Sequence, residues 1–177
     1  MSNLVYIATS IDGFIARKDG GIDWLNDIPN PENSDFGFNE FMKRIDAIVL
    51  GRNTFNIVLT FDSWPYIKPV FVLSNTMKST PEILKGKVEI LTGEPYKIVK
   101  LLNNRGYKNL YIDGGKTIQG FLRKELIDEI IITRIPILLG SGIPLFNNLM
   151  NEQKFEHVET EVFNNALVRS HYKKLLL

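Results

Sequence analysis

The chain has 177 residues, no cysteine and two histidines, with 21 basic against 20 acidic side chains. This excludes disulfides, thiolate metal sites, cysteine nucleophiles and a multi-histidine zinc centre, and the balanced charge argues against nucleic acid as a partner. At 44% hydrophobic and 23% charged, residues 1–177 are expected to form one domain with its own core.

No apolar run approaches the roughly 20 residues of a membrane span. The start Met1-Ser2-Asn3-Leu4-Val5-Tyr6-Ile7 lacks the basic start and small-residue cleavage site of a signal peptide. A cytoplasmic protein without a membrane partner is the expectation.

Leu4 to Thr9 reads as a β-run, continued by Phe14-Ile15-Ala16 after Asp12-Gly13. Lys18-Asp19-Gly20-Gly21 is a turn signal. Asn26 to Asp35, with Pro29 and Pro31, is the most loop-like stretch and suits a surface loop over a site. Phe38, Phe41, Met42 and Ile45 recur at helical spacing. Ala47 to Leu50, Val70 to Leu73 and Val88 to Leu91 are short apolar runs of the kind buried in parallel sheets. Thr54 to Thr60 and Glu94 to Arg105 read as helices, the second stopped by Gly106. Asn109 to Ile112 is a strand, Ile118, Phe121, Leu122 and Leu126 mark a helical face, and Glu129 to Thr133 is a strand. Phe155 to Phe163 and Ala166 to Leu175, joined at Asn164-Asn165, read as an antiparallel hairpin.

Alternating strands and helices predict an α/β fold: a mostly parallel central sheet, helices on both faces, and a C-terminal antiparallel hairpin. Ligands of such sheets bind beyond the carboxyl ends of the strands. There the sequence places Gly51-Arg52-Asn53-Thr54 and Asp113-Gly114-Gly115-Lys116-Thr117, each opening a helix, and Ser74-Asn75. Helix N-termini with glycines and basic side chains suit phosphate. Each segment alone reads equally as a turn or a cap. Together they predict a site for a phosphate-rich ligand such as a nucleotide.

The common nucleotide and hydrolase fingerprints are absent. Gly140-Ser141-Gly142 continues into Ile143-Pro144 with no glycine at position 145. His157 and His171 sit in the terminal strands and read as strand residues rather than catalysts.

Ser10-Ile11-Asp12-Gly13-Phe14-Ile15-Ala16, Trp24, Val49-Leu50-Gly51-Arg52-Asn53-Thr54, Val72-Leu73-Ser74, Ile112-Asp113-Gly114-Gly115, Leu126-Ile127-Asp128-Glu129 and Pro136 to Gly142 stand in an order covering nearly the whole chain. This set resembles the dihydrofolate-reductase-like superfamily. It is most similar to the C-terminal reductase domain of the bifunctional riboflavin-biosynthesis deaminase-reductase and its stand-alone relatives.

The resemblance implies an NADPH-dependent reductase that passes hydride to a C=N or C=O group of a small heterocyclic or carbonyl substrate. The family-level expectation is 5-amino-6-(5-phosphoribosylamino)uracil. Carried over position by position, it assigns Ala8 and Ile15 to the nicotinamide carboxamide and Gly51, Arg52 and Thr54 to the phosphates. Ser74 falls at the ribose 2′-phosphate, and Gly114, Gly115 and Lys116 lie along the cofactor. For the carboxylate that aids protonation, Asp35, Glu40 and Asp12 are the candidates, while helical phasing from Phe41 puts Gly37 at that place. Lys68 stands where true dihydrofolate reductases carry a folate-binding arginine. The alternatives are an authentic dihydrofolate reductase and a non-catalytic nucleotide-binding protein. The expected partners are a small-molecule substrate and a second copy in a homodimer.

Overall fold

Continuous apolar runs form the middle of one sheet, because strands covered on both faces have no side to spare for water. The computed structural model describes residues 1–25, 27, 28, 30, 33–164 and 166–175. Its strands are β1 (Ser2–Ser10), β2 (Phe14–Ala16), β3 (Ala47–Gly51), β4 (Val70–Leu73), β5 (Val88–Leu91), β6 (Asn109–Asp113), β7 (Glu129–Ile135), β8 (Ile143–Pro144), β9 (Phe155–Phe163) and β10 (Leu167–Lys174). Its helices are α1 (Phe38–Lys43), α2 (Arg52–Val58), α3 (Pro95–Asn104) and α4 (Gly115–Arg123), with short 3₁₀ turns at Asp23–Leu25 and Glu82–Leu84.

Eight strands share one sheet in the order β5-β4-β3-β6-β1-β7-β10-β9. The first six are mutually parallel. β10 runs antiparallel to both β7 and β9, so the hairpin closes one edge. This is the α/β architecture the sequence pattern predicts.

Alternation along the strands divides the core in two. Val5, Val49, Ile112 and Ile132 face α3 and α4, meeting Ile98, Leu102 and Phe121. Leu4, Ile48, Leu50 and Ile131 face α1 and α2, meeting Phe41, Ile45 and Phe55. A third cluster, with Trp24, Leu25, Ile28, Phe36, Phe163 and Leu167, ties the segment before α1 to the C-terminal hairpin.

The structure corrects the reading of Phe14–Ala16 as a continuation of β1. β2 turns away and pairs with β8 in a two-stranded sheet of its own. Gly13 takes φ 83°, and Asp12 binds the loop beside β8 by accepting from Leu139 N at 3.1 Å and Gly140 N at 2.7 Å. α2 starts at Arg52 rather than Thr54 because Gly51, extended at φ −83° and ψ 161°, is its N-cap. Parts of the Asn26 to Asp35 stretch (positions 26, 29, 31 and 32), Asn165 of the hairpin turn, and Leu176 and Leu177 lie outside the described residues. Among those residues no helix is long and apolar enough to cross a membrane.

Candidate functional site

The parallel strands end together, and a cleft of about 920 Å³ opens across their carboxyl ends. Its floor is Ala8 of β1, Gly51 at the end of β3, Leu73 at the end of β4 with Ser74 after it, and Asp113 at the end of β6 with Gly114 after it. The strand order reverses here, since the chain runs outward through β3, β4 and β5 and then returns to lay β6 between β3 and β1. Such a switch point splays neighbouring connections apart and leaves a crevice.

Two strand-to-helix corners cross at this place. A Cβ on Gly51 would stand 2.8 Å from Thr117 Oγ1, and one on Gly114 would overlap Thr54 Oγ1. Each corner's glycine therefore receives the other corner's threonine. Gly114 also sits at φ 88°, where a side chain is strained. A Cβ on Gly115 would meet Ile15 at 2.8 Å and Ile143 at 3.2 Å. The glycines the sequence singles out are thus required by the protein's own packing, and the same packing brings the N-termini of α2 and α4 to one side of the cleft.

All nine residues expected to meet the cofactor, Ala8, Ile15, Gly51, Arg52, Thr54, Ser74, Gly114, Gly115 and Lys116, line this one cleft. Arg52 is exposed and donates Nη1 to Thr76 Oγ1 at 2.6 Å. Ser74 Oγ accepts from Thr76 N at 3.2 Å and Met77 N at 3.0 Å. Its own O–H remains available to an acceptor. The Ser74–Thr76 turn and Arg52 thereby form one polar rim with donors to spare, which suits a phosphate.

The three candidate carboxylates part company. Glu40 is exposed on α1 and pairs with Lys43. It does not reach the cleft. Asp12 accepts from Ser10 Oγ at 2.6 Å as well as from the 139–140 backbone, which holds its carboxyl below the usual range, and it also lies off the cleft. Asp35 is held low by Asn39 N–H at 2.8 Å and Gly37 N–H at 3.0 Å. It lines a side pocket of about 220 Å³ that opens behind Tyr6, Ala8 and Leu25, with Phe36, Phe38 and Thr133 as further walls. Gly37, the position picked by helical phasing, is the N-cap of α1. Lys68 does not line the cleft.

Sequence reasoning missed Asp113 and Tyr66 as site residues. Half-buried Asp113 lines the cleft, and loss of water pushes its carboxyl up to about 6. Gly114 N–H at 2.8 Å counteracts this only in part. Tyr66 also lines the cleft; burial, and then the charge of Asp113, push its phenol well above the ordinary value. Asp113 had a signal in the sequence, its place at a strand's carboxyl end, but it reads there as a turn former. Tyr66 follows Trp64-Pro65 in an aperiodic segment and has no local signal. Among the described residues no cluster of carboxylates and histidines could hold a metal ion.

The sequence profile of the RibD C-terminal domain matches residues 4–168. An uncharacterized protein of Bacillus subtilis, YwjB, is 37% identical over 172 residues, spanning 96% of this chain and 95% of its own. A crystal structure of a Shewanella sp. PV-4 protein, provisionally assigned to riboflavin biosynthesis, superposes with a TM-score of 0.95 at 50% identity, over 99% of this chain and all of that one. Dihydrofolate reductase of Enterococcus faecalis, solved with NADP(H), gives a TM-score of 0.68 at 18% identity over 98% and 96% of the two chains, which shows a common fold.

Proposed function

The chain belongs to the RibD C-terminal domain family, and on that premise we propose that it is an NADPH-dependent reductase of a small heterocycle, a pyrimidine carrying a ribose phosphate. One observation carries the reading. Two helix N-termini, the Arg52 guanidinium and the Ser74–Thr76 rim converge on a single cleft, beside a carboxyl that burial pushes up to about 6.

The residues present fit the cofactor. Arg52, Ser74 and Thr76 would hold a ribose 2′-phosphate, and the N-termini of α2 and α4 the pyrophosphate. Ala8 and Ile15 would flank the nicotinamide. NADPH, when bound, supplies the hydride. The chain's own part is to place the acceptor carbon, keep water out, and deliver a proton. Ile57, Val58 and Phe61 give the cleft an apolar wall. Asp113, protonated in part near pH 6, is the group suited to hold the proton and release it to the heteroatom next to the reduced carbon. Asp35 and Thr133 on the side pocket offer acceptors to the N–H groups of a heterocycle.

The test is to mix the purified chain with NADPH and 5-amino-6-(5-phosphoribosylamino)uracil, following cofactor absorbance and the mass of the pyrimidine. Cofactor loss matched by a pyrimidine gaining two hydrogens is the expected result. NADPH binding by calorimetry without turnover of any pyrimidine nucleotide would leave a nucleotide-binding protein instead. Arg52→Ala is expected to weaken NADPH roughly 10- to 150-fold, the loss of one charge-assisted hydrogen bond, and to change NADH little.

A further inference from the structure

One wall of the side pocket is a turn in an unfavourable conformation. Phe36 sits at φ 53° and Gly37 at φ 90°. A bulky side chain rarely adopts positive φ, and it persists there only when its surroundings hold it. The hold comes from the far end of the chain. Arg169 of β10 donates Nη1 to the Phe36 carbonyl at 2.5 Å, and Tyr6 donates its hydroxyl to the same oxygen at 2.7 Å. The other prong of the guanidinium, Nη2, meets Glu161 Oε2 at 2.5 Å. The guanidinium carbon lies 5.0 Å from the centre of the Phe163 ring, and that ring meets Phe36 edge-on at 5.5 Å. The Arg169 side chain is only 16% exposed.

Gly37 completes the arrangement. A Cβ there would overlap Arg169 Nη1. The α1 position that phasing aligns with a reductase carboxylate therefore carries no side chain, and a guanidinium from the opposite sheet edge fills its space.

We propose that Arg169 is a positioning residue for the substrate side of the cleft. By fixing the Phe36 carbonyl it sets the turn whose backbone N–H groups aim Asp35, and it sets Tyr6, which lines both the cleft and the side pocket. Glu161 pairs with the guanidinium and holds its plane; the charge also reaches Asp35 and Tyr6, so the fork's geometry is separated from its charge by the Arg169→Lys variant. A planar fork reaches both partners at fixed angles, whereas an ammonium on a flexible stem does not. This deepens the reductase reading and rests on it for the identity of the substrate.

The experiment compares Arg169→Met, Arg169→Lys and Gly37→Ala with the wild type in two measurements. Amide hydrogen exchange on the free protein should quicken across residues 33–39 in Arg169→Met and Gly37→Ala, with β1 and β6 unchanged. In steady-state assays with NADPH and 5-amino-6-(5-phosphoribosylamino)uracil, kcat/KM for the pyrimidine should fall roughly 10- to 100-fold, the scale of a misplacement of about 1 Å. KM for NADPH should stay constant, and Arg169→Lys should recover only part of the loss. Wild-type exchange at 33–39 in Arg169→Met, or faster exchange spread evenly over the sheet, would overturn the proposal. Should Arg169→Met not fold, Arg169→Lys, which keeps the charge but not the fork, gives the exchange readout, with residues 33–39 quickened to a smaller extent and wild-type exchange there overturning the proposal. A wild-type protein that leaves the pyrimidine untouched sinks the substrate reading alone, and the exchange measurement still decides the role of Arg169.

Discussion

Asp113 sets the acid–base character of the cleft because it is the carboxyl there that burial pushes towards neutrality, while Asp35 is held low by backbone N–H groups. The folded state keeps a proton on Asp113 between the ordinary value of 3.8 and about 6 that the unfolded chain has released. Its contribution to stability therefore falls as pH rises through that window. Asp113→Asn removes the cost of a desolvated charge. The variant is expected to melt higher than wild type at pH 7.5, by at most about 3 kcal/mol in stability, with the gap closing below about pH 4. Turnover should drop about 10²- to 10⁴-fold, the usual contribution of a positioned proton donor. Thermal melts at the two pH values and a pH–rate profile check both. Equal melting at pH 7.5 would mean that Asp113 carries no desolvation cost, and unchanged turnover would remove it from proton delivery.

Elements were legible to different degrees. Val70–Leu73 and Val88–Leu91 coincide with β4 and β5, but only β4 is an apolar run buried on both faces; β5 is the edge strand and leaves Glu89 exposed. β8, only Ile143–Pro144, carries no periodicity, and it exists because β2 turns to meet it. The strand-end rim of the cleft was legible because it is built from contiguous motifs. Around the side pocket only Asp35 was singled out, since Tyr6, Thr133 and Arg169 come from distant segments that carry no local motif. Glu129, read as a strand start and as the last residue of the Leu126–Glu129 motif, had no partner legible in the sequence. It opens β7 and accepts from Arg44, the C-cap of α1, at 2.6 Å and pairs with His171 of β10 at 2.9 Å. Burial alone would raise its carboxyl, but Arg44 and then His171 outweigh this and hold it below the ordinary value. Its contribution is present above the ordinary carboxylate range and is lost as pH falls towards the depressed value. Glu129→Gln should therefore cost about 1–3 kcal/mol at pH 7 and progressively less in acid. NADPH affinity should not change, because Glu129 stands at the end of the sheet away from the cleft. Melts across pH with calorimetry would show it, and a deficit that persists undiminished at pH 3 would mean the loss is one of packing.

At the scale of the whole molecule, the fold it shares with dihydrofolate reductase does not carry that enzyme's substrate with it, because fold and site are separable. Two features of this chain oppose folate. Gly37 provides no carboxylate on α1, and Arg169 fills the space. Lys68, at the spacing of the folate-binding arginine, lies off the cleft, and a lysine would in any case lack the planar fork that matches a carboxylate. Asp35 reaches the side pocket but comes from the turn before α1 rather than from the helix itself. A pterin would therefore bind without its orienting contacts, and a misplacement of about 1 Å costs on the order of 100-fold in rate. Dihydrofolate with NADPH is expected to turn over slowly and saturate poorly, with kcat/KM below about 10⁴ M⁻¹s⁻¹, the lower edge of the ordinary enzyme range. Steady-state kinetics on the purified protein measures this directly. A value inside that range would show that Asp35 serves from the turn as well as a helix carboxylate would, and would make dihydrofolate the substrate to pursue.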